Sequence, residues 1–272
     1  MSLNFEFMLV KDILNCITEI APLQWQESYD NAGLQVGDLN AEAHKALVCL
    51  DITEEIVDEA VAKNCNLIIS HHPLIFRGLK HLTPETYIER AVMKAVKHDI
   101  ALISMHTNLD NSYLGVSRVL AERLGLKKLH LLQPSASEPE LCGVGMVGEF
   151  GKPMDEMEFL TLVADTIGSP CLRHSALTGR KIQKVALCGG SGTPFMPDAM
   201  RQKADAYLTA DIKYHDFFVP EGNILLVDGG HFETEQFTKE LIVELIRKKF
   251  PTFAAEIAET KTNSVHYFVS NK

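Results

Sequence analysis

The sequence lacks paired cysteines: six cysteines are scattered along the chain, and no two of them form a Cys-x-x-Cys pair. Cys49, Cys65 and Cys188 lie inside apolar runs, where a free cysteine behaves as a small hydrophobic residue. We therefore expect reduced cysteines in the core, as is usual in the cytoplasm, and no thiolates among the metal ligands.

The sequence also lacks an excess of basic residues and a long apolar run. Its 26 Lys and Arg against 36 Asp and Glu give a formal charge of −10, which disfavours binding to nucleic acid or to an anionic membrane. No run approaches the roughly 20 apolar residues of a membrane span. The first ten residues show neither the basic region nor the cleavage site of a signal peptide. We expect a cytoplasmic protein.

Apolar runs of strand length alternate with amphipathic helical stretches in both halves of the chain. The runs lie at 45–53, 66–70 and 99–105, and again at 184–192, 205–216 and 223–230. Continuous apolar strands that alternate with helices predict mostly parallel α/β sheets covered on both faces. One long helix is predicted at 234–249, and the alternating segment 262–269 predicts one more strand.

The second half repeats the order of the first, which predicts two copies of a helix–strand–(strand–helix)×3 unit. We place the repeats at 1–130 and 131–272, because the most loop-like stretch, QPSASEPE, occupies 133–140. That stretch is too short to be an inserted domain.

The glycine-rich residues 189–192 predict either a tight turn or a phosphate-binding loop. Asp30 and Asn31 are interpreted as turn-forming residues rather than chemical groups.

Histidines follow the predicted strands. His71 and His72 end the run at 66–70, and the carboxyl ends of strands in open α/β sheets are where ligands bind. A solvated turn with two polar rings is the alternative for this pair. The third strand of each half is followed by a histidine with a carboxylate four residues later, a spacing that places both side chains on one helical face. These pairs are His106 with Asp110 and His231 with Glu235.

The number of candidate ligands favours two metal ions over one, because a single catalytic zinc usually takes three protein ligands and water. Two carboxylates can bridge, and adjacent histidines in an extended backbone diverge toward different ions. Nitrogen and oxygen donors suit Zn, Mn, Fe, Co or Ni without choosing among them. The candidate ligands are His71, His72, Asp110, His231 and Glu235, with His106 in reserve.

Together these stretches resemble the NIF-three-like family, also called GTP cyclohydrolase type 2 homologues, over nearly the whole chain. The motifs that carry the resemblance are ESYDNAGLQVGD (27–38), SHHPLIF (70–76), HTNLD (106–110), DAYLTADIKYHD (205–216) and GGHFETE (229–235). The resemblance implies two intertwined α/β repeats, a dinuclear metal centre with the five ligands above, and a toroidal homohexamer. It also implies that His106 and His215 line the site as catalytic acid or base groups, or as groups that orient a ligand.

The leading functional hypothesis is a metal-dependent hydrolase that acts on a nucleotide, a phosphoester or a cyclic amide. A non-catalytic metal-binding scaffold or metal-handling protein is the alternative. A GTP cyclohydrolase is less well supported, because the zinc enzymes that open GTP use cysteine ligands, and we expect the cysteines here to lie away from the histidines and carboxylates.

Overall fold

The computed structural model describes residues 8–268, so the interpretation of the first residues as free of a signal peptide falls mostly outside the described part. The helices are α1 Val10–Thr18, α2 Glu54–Ala62, α3 Tyr87–Lys97, α4 Thr107–Asp110, α5 Val116–Arg123, α6 Glu156–Ile167, α7 Met196–Arg201, α8 His231–Glu235 and α9 Thr238–Lys249. Within the described residues, no helix is both long and apolar enough to cross a membrane.

Within the described residues, six strands match the predicted apolar runs and five more lie outside those runs. They are β1 Gly33–Val36, β2 Lys45–Cys49, β3 Leu67–Ser70, β4 Ala101–Ser104, β5 Lys127–Pro134, β6 Gly143–Met154, β7 Arg173–His174, β8 Ile182–Leu187, β9 Ala206–Thr209, β10 Leu225–Asp228 and β11 Ala254–Ile257. The five outside the predicted runs are β1, β5, β6, β7 and β11. The described residues form two compact units, 8–109 with 238–262 and 110–237 with 263–268.

The first unit contains a five-stranded sheet of order β1-β4-β3-β2-β11, in which β4, β3, β2 and β11 run parallel and β1 is antiparallel. Successive side chains of a strand point to opposite faces, so Leu47 and Cys49 share one face. Together with Ile68 and Leu102 they pack against Ile56 of α2 in a single buried core. Thr53 caps α2 by accepting a hydrogen bond from the amide of Ile56.

The second unit contains a six-stranded sheet of order β5-β6-β8-β9-β10-β7. Its centre, β8-β9-β10, is parallel, while β5, β6 and β7 add antiparallel edges. Both faces are covered: Leu208 joins one core with Phe159 of α6, and Tyr207 joins the other with Ala199 of α7. The predicted mixed α/β class is confirmed.

Two predictions for the C-terminal region were wrong. The stretch predicted as one helix is broken into α8 and α9 at Gln236 and Phe237, where Phe237 is buried in the core of the second unit. The predicted strand at 262–269 is irregular through residue 268, and its last residue lies outside the described part. The strand of this region is β11, which pairs with β2.

Candidate functional site

Two adjacent histidines follow β3 directly, and each is held through the same ring nitrogen. His71 is fully buried, and its Nδ1 lies 2.7 Å from the carbonyl oxygen of Met105. The Nδ1 of His72 lies 2.7 Å from Oδ1 of Asp51, which follows β2. Because a carbonyl and a carboxylate accept hydrogen bonds, Nδ1 carries the hydrogen in both rings, and a neutral ring then presents its lone pair at Nε2.

A third histidine joins this pair in the first unit. The ring centroid of His106 lies 5.4 Å from that of His71 and 5.6 Å from that of His72. Its Nδ1 lies 2.7 Å from Oδ1 of Asp30, whose side chain is buried and also accepts hydrogen bonds from the amide and hydroxyl of Thr107. The histidine cluster of the first unit is therefore His71, His72 and His106, each ring oriented through Nδ1.

The carboxyl group of Asp30 is ionised in this setting. Burial alone would raise its pKa, but hydrogen bonds from His106 and Thr107 outweigh burial and lower the pKa to about 2. Asp30 does form a turn, since its amide donates to the carbonyl oxygen of Glu27, and its carboxylate in addition orients His106. Its position in the loop before β1 gave no local signal, since its partner lies 76 residues further along the chain.

In the second unit, His231 begins α8 and lies between two carboxylates. Its Nδ1 is 2.7 Å from Oδ2 of Asp211, and its Nε2 is 3.0 Å from Oε2 of Glu235, four residues on. Burial lowers the pKa of His231, but the two carboxylates outweigh this effect and raise it to about 11. The ring is therefore an imidazolium here, and a divalent cation at Nε2 would take the place of its proton.

The carboxylate of Glu235 is almost fully buried and is cradled by a glycine of the turn at 189–192. A Cβ built on Gly190, whose φ is +60°, would lie 2.0 Å from Oε1 of Glu235. Residues 189–192 lead from β8 through a short 3₁₀ helix into α7, as the tight-turn interpretation predicts, and the phosphate-binding alternative stays a prediction. Only glycine leaves room for the carboxylate at this position.

Cys188, next to this turn, corrects one expectation of the sequence analysis. Its thiol is buried, and burial raises its pKa well above the usual range, with further raising by the charges of Asp110 and Glu235. One cysteine therefore does lie within electrostatic reach of the predicted ligands, but it remains a protonated thiol. The other buried cysteines are Cys16, Cys49, Cys65 and Cys142, and Cys171 is exposed.

The structure thus orients most of the predicted site residues. His215 is exposed in the 3₁₀ helix 214–218, where its ring packs near Tyr214 and Phe218 at centroid distances of 5.2 and 6.3 Å. Its catalytic role stays a prediction. Asp51 and Asp211, which orient His72 and His231, were not among the predicted site residues. Both follow apolar strands of the parallel set, and that position was the available signal.

The donor chemistry fits a divalent metal ion. A metal-bound histidine usually donates its other ring nitrogen to a carboxylate or carbonyl, which fixes the tautomer and raises the basicity of the ligand. His71, His72 and His231 all show this arrangement, with Met105, Asp51 and Asp211 as the respective acceptors.

The fold and the site define a class of two-unit α/β proteins in which oriented histidines and carboxylates follow the parallel strands. A model of the family Duf34/NIF3 (NGG1p interacting factor 3) matches residues 8–264. A Clostridium perfringens protein named GTP cyclohydrolase 1 type 2 homolog is 38% identical over 231 residues, covering 84% of this chain and 87% of that protein. The chain belongs to the Duf34/NIF3 family.

Solved structures agree with this assignment. A crystal structure of a Staphylococcus aureus hypothetical protein superposes with a TM-score of 0.90 at 29% identity, covering 97% of this chain and 100% of that one. A Bacillus cereus protein related to NIF3 gives a TM-score of 0.89 at 22% identity, again over 97% of this chain and 100% of that one, which shows the shared fold.

Proposed function

We propose that the protein binds two divalent metal ions and acts as a metal-dependent hydrolase. The observation that carries the proposal is the matched orientation of the histidines through Nδ1 by acceptors at the ends of strands. A histidine that binds a metal ion commonly has such an acceptor at its other ring nitrogen. The proposed ligands are His71, His72, Asp110, His231 and Glu235.

Bound metal ions would supply an activated water and would polarise a phosphoryl or amide oxygen of the substrate. The protein's own residues would orient the metal ligands and supply the acid–base group. Asp51 and Asp211 hold His72 and His231 in the tautomer that presents Nε2. Asp30 accepts the hydrogen bond from Nδ1 of His106, so Nε2 of that ring is the atom proposed to act as the acid or base toward the substrate.

Metal content tests the first part of the proposal. Protein refolded with Zn or Mn is expected to retain two equivalents per chain after dialysis, as measured by elemental analysis. Glu235→Ala is expected to retain fewer, whereas Glu244→Ala, which changes an exposed glutamate of α9, is expected to match the wild type. Less than one equivalent in the wild type would contradict the two-metal centre.

Activity tests the second part. A panel of nucleotides, phosphodiesters and cyclic amides is incubated with metal-loaded wild type, Glu235→Ala and Glu244→Ala. Turnover that is lost only in Glu235→Ala would establish a hydrolase. Two tightly bound ions without turnover on any substrate would instead favour the alternative, a metal-binding scaffold or metal-handling protein.

The name shared by the curated relatives suggests GTP as one member of the panel. A fluorescent pterin product from GTP would support that reaction, and none at any metal loading would remove it. We also propose a homohexameric assembly, on the resemblance alone. Light scattering coupled to size exclusion measures the mass directly, and a monomer or dimer would contradict the hexamer.

A further inference from the structure

Two aromatic side chains of the first unit stand in solvent beside the histidine cluster. Tyr29 is 65% exposed and Phe76 is 41% exposed. Their ring centroids are 6.3 Å apart with the planes inclined at 64°, and the Phe76 ring lies 6.0 Å from that of His106 at 86°. The rings therefore form an open corner that is continuous with His106. We call Tyr29 and Phe76 the aromatic corner.

The loops that carry the aromatic corner are fastened to each other. The side-chain amide of Asn31 donates to the carbonyl oxygen of Ile75 at 2.6 Å, and the amide of Ile75 donates to Oε1 of Gln35 at 2.7 Å. Asp30, next to Tyr29, is anchored on His106. These hydrogen bonds fix the loops with the two rings exposed, although burying the rings would be favourable by the hydrophobic effect.

The geometry of the corner selects the kind of group that it can hold. Aromatic rings attract other rings face to face with an offset or edge to face, at centroid distances of about 4.5–7 Å. Tyr29 and Phe76 are inclined and too close for a third ring to insert between them. A flat ring can instead stack on the outer face of one and meet the edge of the other.

We propose that the aromatic corner is a stacking subsite for a flat heteroaromatic ring of the substrate, such as a purine base. This inference deepens the proposed function and rests on it, because it assigns the ring-bearing part of the substrate to the same site. The corner adjoins His106, so a ring stacked there lies next to the proposed acid–base group. It also gives a role to Tyr29 and Asn31 of the motif at 27–38.

The test uses 2-aminopurine riboside as the probe, because stacking on an aromatic ring quenches its fluorescence. Binding to the metal-loaded full-length protein is titrated for the wild type, Phe76→Leu and Tyr29→Leu. Leucine keeps an apolar side chain and removes the aromatic face. Tyr87→Leu is the matched control, since Tyr87 is 55% exposed at the start of α3. Ribose 5-phosphate serves as a competitor without a ring.

The wild type is expected to quench and bind the probe. Phe76→Leu or Tyr29→Leu should weaken binding about 5- to 150-fold, the range measured for base stacking on one aromatic side chain. Tyr87→Leu should bind as the wild type does, and ribose 5-phosphate should not compete. Equal binding by all variants, or no binding by the wild type at millimolar probe, overturns the proposal.

Two further measurements on the same samples separate this proposal from the metal centre. Metal content is determined for each variant. Probe binding without retained metal would overturn the proposed function and leave the subsite. Retained metal without probe binding would overturn the subsite and leave the proposed function. Mass in solution is also measured. A smaller assembly for Phe76→Leu, with no probe binding by the wild type, would assign the rings to a contact between copies and overturn the subsite.

Discussion

Replacing Gly190 by alanine should displace the carboxylate of Glu235. The displacement itself should cost little stability beyond the backbone cost of placing alanine at a positive φ. The new Cβ would lie 2.0 Å from Oε1 and 2.9 Å from Cδ of Glu235. Favourable non-bonded contacts lie at about 3.5–4 Å, so the carboxylate must move by more than about 1 Å. The clashing oxygen is at the far end of a flexible side chain, so it can move at small cost to the fold.

Gly168→Ala is the matched control for this change. Gly168 ends α6 with a φ of +65°, close to the +60° of Gly190, but a Cβ there meets no atom within 4 Å. Both substitutions place alanine in the left-handed region, at a cost of about 1–2 kcal/mol each. Urea unfolding of the metal-free proteins should therefore show similar losses for the two variants.

Metal affinity should separate the two variants. A displaced ligand is expected to weaken zinc binding at least as much as loss of a group that orients a ligand, about 10- to 100-fold. Gly168→Ala should bind zinc as the wild type does. The assay is competition with a chromophoric chelator at neutral pH. Zinc affinities within twofold of each other for the two variants would refute the assignment of Glu235 as a ligand.

Three further predictions concern stability and ligand orientation. Glu59 accepts amide hydrogen bonds from Glu259 and Thr260; burial raises its pKa, but these bonds and Lys63 lower it to about 2. The stabilisation that the Glu59 carboxylate contributes is therefore present above pH 4.5 and is lost toward pH 2. Glu59→Gln should lower the free energy of unfolding by about 1–2 kcal/mol at pH 7 and by little near pH 2, as measured by urea unfolding. The Thr262 hydroxyl donates to Asp51, which orients His72, so Thr262→Val should weaken zinc binding while Thr262→Ser restores it; equal affinities would contradict this role. Phe159→Ala in the core of the second unit should lower the free energy of unfolding by about 3–5 kcal/mol, as measured by thermal unfolding. Met157 is exposed on the same helix, so Met157→Ala should lower it by less than about 0.5 kcal/mol.

The parallel core of each sheet could be predicted because its strands are buried on both faces. Runs such as Leu67–Ser70 and Leu225–Asp228 are buried throughout and apolar in their first three residues, and the helices between them carry their own start signals. The antiparallel pair β5 and β6 could not be predicted in this way. Strand β6 contains glycines such as Gly148, where a Cβ would lie 2.6 Å from Leu129, so close packing selects residues of low strand propensity.

The site was partly predictable for a similar reason. Histidine with a carboxylate four residues later is a local pattern, and the short helix α8 places His231 and Glu235 in contact as that pattern indicates. The acceptors that orient the rings are not local. Asp30 reaches His106 from 76 residues away, and Asp51 reaches His72 from 21 residues away, so no periodicity in one stretch could pair them.

The two segments of the first unit have a consequence for how the protein is made. Its sheet lacks β11, and its helical layer lacks α9, until the ribosome has added residues 238–262. Residue 254 follows residue 109 by 145 positions, a delay of roughly 7–30 s at about 5–20 residues per second. During that interval the edge of β2 is open to incorrect pairing, while residues 110–237 of the second unit emerge in one continuous piece. Nascent chains that stall before residue 254 should therefore be the ones that depend on chaperones, with the strand that leads to Asp51 still unpaired on one side.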